Sequence, residues 1–465
     1  MVRPDPPTNE SSISLPLLAP STSASYPPLP ASTSSRRPPL RRVLLKLSLP
    51  AALFSLVAFL HLNFFGSTDN SLRGAALTEW IHRNGSNVNV FDRLEIEAED
   101  RSAKAVFIAL GASLNEFHVK DRDGKFRDVV VGYSDPHSAL NESNYAYFGS
   151  IVGRYANRIS QSSFTDPFTN ETFHLPINEG ESTTLHGGRW GYSKAGWKVE
   201  SHGRSYIIFS LLDQGAEGFP GTVKTIANYT LLSSPTRLVS RFESEVLSPS
   251  PVRTPISLSS HVYWNLDGYA SEAGKGVGGG MKLWIDANRT VRVDERLIPT
   301  GELVDVEVGG PLDFYSNGEG VEKELIDALE DERSRELCGK DCDGLDNALI
   351  FSKPERDFER DVVMSLSSIF SGIRLKVRTN QPLVHLYSCN SPSFSSTTGD
   401  YPFKPTQNNG EIGTYGHHSC LAVEQEGWID GLHHEKEWDL KREKSQWYDS
   451  ERKYEWWAEY EFETF

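Results

Sequence analysis

From about residue 88 the apolar residues of this chain fall in short runs separated by Gly, Pro, Asn and Asp. Examples are AVFIAL (Ala105 to Leu110), SYIIFSLL (Ser205 to Leu212), KTIANYTLL (Lys224 to Leu232), GIRLKVRT (Gly372 to Thr379) and PLVHLYSC (Pro382 to Cys389). Runs this short, rich in β-branched and aromatic residues and bounded by turn formers, predict strands. Helical periodicity is scarce. The one candidate helix, Gly320 to Leu337, is predicted as an insertion between strands. No internal repeat is sustained. The pattern predicts an all-β domain over residues 88–440, a large antiparallel β-sandwich. Residues 441–465 are charged and aromatic and are predicted to form a C-terminal tail that caps the domain or lies loose.

The first 87 residues break this pattern. Residues 1–42 are rich in Pro, Ser and Thr with few large apolar residues, a composition that predicts a disordered tail. Arg36, Arg37, Arg41 and Arg42 then precede the apolar run from Val43 to Phe65. A spanning helix needs about 20 mostly apolar residues. The run reaches that length with Lys46, His61 and Asn63 near its ends. It is predicted to be a transmembrane signal anchor, followed by a linker over residues 66–87. Its cleanest part, Leu47 to Leu60, would also suit a cleaved signal peptide and a secreted product, but the preceding tail is long for one. The arginines on its N-terminal side place the tail in the cytoplasm and the domain in the lumen or outside the cell.

Two features agree with that topology. Five Asn-x-Ser/Thr acceptors follow the run, at Asn84, Asn141, Asn170, Asn228 and Asn288, so a membrane glycoprotein is expected. The four cysteines are grouped as Cys338 with Cys342, then Cys389 and Cys420, and could form two bridges in an oxidising compartment. Cys338-x-x-x-Cys342 lacks a usual zinc spacing and has no matching second pair. The formal charge is −16, and a basic N-terminal segment leaves the rest of the chain more acidic still. That excludes nucleic acid as a partner, since its binding depends on basic patches.

Candidate chemistry is concentrated between Gly149 and Trp197. GSIVGRYANRI (Gly149 to Ile159) sets Arg154, Asn157 and Arg158 among small and apolar residues. LHGGRWGYSKAGW (Leu185 to Trp197) places His186 before two glycines, which let a ligand approach the backbone closely. Histidine, arginine and asparagine at such turns suit a small polar ligand. Together and in this order the two segments resemble the aldose 1-epimerase (galactose mutarotase) family. Further segments carry the same resemblance: SSHVYWNLDG (Ser259 to Gly268), VDERLIPTGE (Val293 to Glu302), GLDNALIF (Gly344 to Phe351), TNQPLVHLYSCN (Thr379 to Asn390) and LAVEQEGWIDG (Leu421 to Gly431). They follow family order over roughly residues 88 to 432.

The resemblance implies an isomerase that interconverts the α and β anomers of a free hexose, glucose or galactose. Ring opening removes a proton from the C1 hydroxyl and delivers one to the ring oxygen, and closure reverses both transfers. A carboxylate and an imidazole suit that exchange. By resemblance Glu424 is the base and His261 the acid. Asn157, Arg158, His186, Asp346 and Gln381 hold the sugar. Trp264, Tyr387 and Trp428 are candidate apolar faces for the ring, and Arg154 is expected to be a structural ion-pair partner. No metal or organic cofactor is implied. Two departures bear on sugar preference. The segment after Glu424 reads Ile429-Asp430-Gly431-Leu432-His433 and lacks the family's Asn, and Asn347 follows Asp346 where His is common. The alternatives are a non-catalytic carbohydrate-binding protein on the same fold and a hexose-6-phosphate 1-epimerase.

Overall fold

The computed structural model describes residues 86–140, 145–271, 273–340, 342–391, 394, 401–441 and 444–465. The expected tail and anchor, most of the linker, and the acceptors Asn84 and Asn141 lie outside the described residues. Among the described residues no helix is long and apolar enough to cross a membrane.

The alternation seen in the sequence becomes two large antiparallel sheets. Thr236–Val246 shows why: from Leu238 every second side chain is buried, so one face meets the core and the other meets water. This strand sits inside a nine-stranded sheet, ordered Lys198–His202, Tyr206–Asp213, Val223–Leu232, Thr236–Val246, Tyr454–Thr464, Ile373–Thr379, Met364–Ser368, Met281–Ile285 and Lys323–Glu324. The second sheet has six strands, ordered Tyr263–Trp264, Leu421–Glu426, Leu383–Tyr387, Asp346–Phe351, Ala287–Val293 and Pro299–Asp305. A four-stranded sheet is formed from Leu94–Glu97, Ala103–Ile108, Ser113–Lys120 and Phe126–Asp128. One core of apolar side chains runs through all three sheets and includes Phe117, Phe242, Trp264, Leu386 and Trp456. Trp456 Nε1 donates to the Gln425 carbonyl (2.7 Å), and Tyr460 Oη donates to Gln425 Oε1 (2.7 Å), which ties the two large sheets together.

The C-terminal segment departs from expectation. It is no cap or loose tail: Tyr454–Thr464 lies in the middle of the nine-stranded sheet, paired with Thr236–Val246 on one side and Ile373–Thr379 on the other. Its aromatic residues Tyr454, Trp456, Tyr460 and Phe462 are buried. Its glutamates meet cations of the flanking strands. Glu459 faces Arg237 (3.2 Å) and Arg378 (3.0 Å), Glu461 faces Arg378 (3.0 Å), and Glu463 faces Lys376 (2.8 Å). These pairs are partly buried, and they specify which strands lie beside this one.

The candidate helix Gly320 to Leu337 is likewise corrected. Only Leu325–Leu329 is α-helical, Lys323–Glu324 pairs at the sheet edge, and Glu332–Glu336 forms a 3-10 turn. Burial of Leu325, Ala328 and Leu329 accounts for the apolar periodicity. The cysteines pair as Cys338–Cys342 and Cys389–Cys420. Cys389 and Cys420 lie just beyond the Leu383–Tyr387 and Leu421–Glu426 ladder, so their bridge extends the cross-strand pairing by covalent means.

Candidate active site

The two glycine-bearing segments of the sequence meet in space. Arg158–Ile159 pairs with Thr184–Leu185, which sets Arg158 beside His186. The His186 N–H donates to the Asn157 carbonyl (3.0 Å), and the Asn157 N–H donates to His186 Nδ1 (3.2 Å). Glycine is needed here. A Cβ on Gly187, at φ +83°, would stand 2.0 Å from the Gly153 carbonyl oxygen, and one on Gly188 would stand 2.2 Å from Glu217 Oε2. The buried Glu217 carboxylate faces the N–H groups of Arg189 and Trp190 and so supports the turn that carries His186. Tyr147, Asn157 and His186 all hold positive φ, at 58°, 61° and 51°. For non-glycine residues that costs of order 1–3 kcal/mol each and tends to cluster at functional sites.

His261 is placed by the same segment. Ser259–Ser260 pairs with Ile151–Val152, and the His261 N–H donates to the Ser150 carbonyl (2.9 Å). Glu424 comes from Leu421–Glu426, whose six residues are all buried. His261 Nε2 lies 3.3 Å from Glu424 Oε1, and the two side chains are 5% and 3% exposed. Both open onto a cavity of about 500 Å³, also lined by Tyr147, Asn157, Arg158, Glu179, His186, Asp346, His385 and Tyr387.

The remaining contacts define the charge of the site. Arg158 donates Nε and Nη2 to the two oxygens of Glu179, each at 2.8 Å. Asn157 Nδ2 donates to Glu426 Oε1 (3.0 Å). His385 Nε2 is 2.6 Å from Asp346 Oδ1. Burial, then the charges of Glu426 and Asp346, raise the Glu424 carboxyl well above its ordinary range, against the pull of Arg158. Burial also raises Glu426, against His385 and Asn157. It pushes His261 down to about 3 and His186 down as well. For Asp346 burial acts upward, but the hydrogen bond and charge of His385 outweigh it and hold the carboxyl below its ordinary value.

Metal binding fits this set poorly. His186, His261 and Glu424 offer ligand atoms within 4.8 Å of one another. However, His186 Nδ1 accepts the Asn157 N–H, so the neutral ring carries its proton on Nε2, where a metal would need a lone pair. The His186 ring thus offers a hydrogen-bond donor on the cavity wall.

Of the residues singled out in the sequence, the structure brings Asn157, Arg158, His186, His261, Asp346, Tyr387 and Glu424 to the cavity. Gln381 is not there. It lines a second cleft with Arg356, Asn380 and Trp428, and its Nε2 donates to Asn380 Oδ1 (2.7 Å). The strand after Gln381 sends His385 into the cavity instead. Trp264 is in the core, 0% exposed, and Trp428 packs against Trp438 away from the cavity, their rings tilted at 36°. Arg154 is buried and grips Asp213 at 2.6 Å together with the carbonyls of Pro220 and Gly221. Sequence reading missed Tyr147, Glu179, His385 and Glu426. Glu426 had a signal, since it stands two residues beyond Glu424 on the same strand face.

Known proteins resemble the chain over most of its length. The family profile described as aldose 1-epimerase matches residues 92–451. A probable aldose 1-epimerase of Arthroderma benhamiae is 35% identical over 398 residues, covering 79% of this chain and 84% of the relative. The galactose mutarotase of Mus musculus is 31% identical over 325 residues, covering 70% and 82%. The aldose 1-epimerase of Escherichia coli is 30% identical over 329 residues, covering 70% and 84%. Among solved structures, an aldose epimerase homologue from C. elegans shares the fold with a TM-score of 0.64 at 24% identity, over 80% of this chain and 99% of that one. The chain belongs to the aldose 1-epimerase family.

Proposed function

We propose that the chain carries out the anomer interconversion of its family on a free hexose, glucose or galactose, with Glu424 and His261 as the proton-transfer pair. The observation that carries this reading is the 3.3 Å approach of His261 Nε2 to Glu424 Oε1 on a cavity wall. The hydroxyl oxygen and the ring oxygen exchanged in the reaction sit on one carbon, so the two transferring groups must stand side by side. Glu424 takes the C1 hydroxyl proton as the C1–O5 bond breaks, the C1–O1 bond becomes a carbonyl, and His261 protonates O5. After rotation about C1–C2, O5 attacks the other face of the aldehyde. His261 then takes the O5 proton and Glu424 returns one to O1. The pair holds one proton before and after, and because the two groups approach to 3.3 Å the pH limits are properties of the pair. Arg158, Asn157, His186 and Asp346 bind hydroxyls around it.

Lys340 and Arg158 are the Lys and Arg residues among the described cavity lining, and Arg158 is already paired with Glu179. A 6-phosphate would need a cluster of free cations, so a neutral sugar is favoured. Polarimetry of freshly dissolved α-glucose and α-galactose tests the reading: the purified domain should speed the approach to anomeric equilibrium, and an unchanged rate on both would sink it. With Asp346→Ala, KM is expected to rise more than kcat falls, because bonds equal in ground and transition states contribute uniform binding. Steady-state kinetics with KM and kcat both at wild-type values would remove Asp346 from the sugar site.

We also propose that the domain lies on the non-cytoplasmic side of a membrane, anchored through residues 43–65. The two disulfides support an oxidising compartment. Asn170 supports glycosylation, exposed in the turn between Ser163–Thr165 and Thr172–His174. Expressed in a eukaryotic secretory host, the full chain should lose mass with endoglycosidase and resist protease in sealed microsomes apart from a short tail. An unglycosylated chain whose domain is digested in intact microsomes would reverse the orientation.

A further inference from the structure

His385 stands directly across the ladder from Glu424 and lines the cavity. Its Nε2 is 2.6 Å from Asp346 Oδ1, and its Nδ1 is 3.9 Å from Glu426 Oε1. The side chain is 7% exposed, and Nδ1 has no hydrogen-bond partner among the described residues. Three carboxylates therefore converge on this ring: Asp346 from Asp346–Phe351, and Glu424 and Glu426 from Leu421–Glu426. The other charged groups of the cavity lining are Arg158 with its partner Glu179 and the exposed Lys340, and the rings of His186, His261 and Tyr387 also face it.

Carboxylates crowded at buried positions cannot all ionise without a cation. Arg158 is bonded to Glu179 through two hydrogen bonds, so one guanidinium serves Glu179 as well as these three carboxylates, and the other cation of the lining, Lys340, is exposed. Burial drives His186 toward its neutral form, and the one proton that His261 carries is the pair's own, given to O5 in the reaction. His385 is the group held between two of the three carboxylates, and only a doubly protonated ring can donate toward both. A neutral ring donating to Asp346 would turn the Nδ1 lone pair toward Glu426.

We propose that His385 is the counter-ion of this cluster, a positioning residue whose protonated ring spans Asp346 and Glu426 and so lets Glu424 ionise as the proton acceptor for the sugar. The proposal rests on the assignment of Glu424 and His261 as the proton-transfer pair. His385 makes no transfer itself and acts by setting the charge around the pair. Loss of its positive charge raises the pH at which the pair reaches its one-proton form, and loss of a neighbouring negative charge lowers it.

The test is the pH profile of kcat/KM for anomer interconversion, by polarimetry on wild type, His385→Gln, Asp346→Asn and Glu424→Gln, each checked for a cooperative thermal melt. Glutamine can still donate to Asp346 but carries no charge. His385→Gln should move the whole profile to higher pH, by on the order of one unit, and Asp346→Asn should move it to lower pH. Opposite shifts from two neighbouring substitutions are not a consequence of loosened packing. His385→Asn serves in place of His385→Gln if the latter does not fold. A profile for the His385 variant that stays in place or moves to lower pH overturns the counter-ion role. Glu424→Gln separates the two levels. If it is inactive while the His385 variant keeps the wild-type profile, only the counter-ion role falls. If it works at the wild-type rate, the proton-transfer assignment falls and takes this proposal with it.

Discussion

Glu424→Gln is expected to lower kcat/KM for anomer interconversion by about 10²- to 10⁴-fold, the usual contribution of a positioned general base. Glutamine keeps the shape of the side chain and can still approach His261, but it cannot accept and return the C1 hydroxyl proton. Stability should move the other way. Glu424 is buried beside Glu426 and Asp346, whose charges oppose its ionisation. Removing one of these carboxylates relieves that opposition, so Tm should be unchanged or raised, as happens where a site holds strain for function. The sign with pH follows. A carboxyl raised on folding costs stability once the pH exceeds its unfolded value, and that cost grows up to its folded value. The variant should therefore gain on wild type in thermal melts as pH rises from about 4 toward neutrality. Near wild-type turnover in Glu424→Gln would remove this residue from the proton-transfer role whatever the melts show.

Ending the chain at residue 449 is expected to abolish cooperative folding. The cut removes Tyr454–Thr464, and with it the partner of Thr236–Val246 on one side and Ile373–Thr379 on the other. Two interior strands would become edges with unpaired backbone groups, a hazard for aggregation. The core would also lose Tyr454, Trp456, Tyr460 and Phe462. Trp456 alone is 0% exposed and stacks on Phe242 at 4.3 Å, so Trp456→Ala in the full chain should cost about 3–5 kcal/mol. Denaturant melts read both variants. A truncated chain that stays soluble with a wild-type midpoint would show that the sheet closes without this strand. A domain boundary drawn from the family match, which ends at residue 451, would cut it off.

How much of this was legible beforehand differs from residue to residue. The alternation in Thr236–Val246 is a property of one strand and its two faces, so it can be read from a single stretch of chain. The same rule puts Leu383, His385 and Tyr387 on one side of their strand, but it does not say which side looks into the cavity. Gln381 shares that parity but precedes the strand, so alternation does not separate it from His385, and the resemblance points to the glutamine. The glutamates of the C-terminal segment read as a solvated tail because their cationic partners are far away in sequence, at Arg237, Lys376 and Arg378.

By itself, then, the sequence determined the strand content of the domain, its family and the kinds of residue available for proton transfer. Each is encoded in local periodicity or in short ordered motifs. Only the tertiary structure decided which histidine faces Asp346, that Glu426 crowds Glu424, that the last strand is central, and in which direction each buried group is shifted. Those outcomes depend on pairing between distant strands and on the burial of side chains that the pairing brings about, and neither is a property of any single stretch of chain.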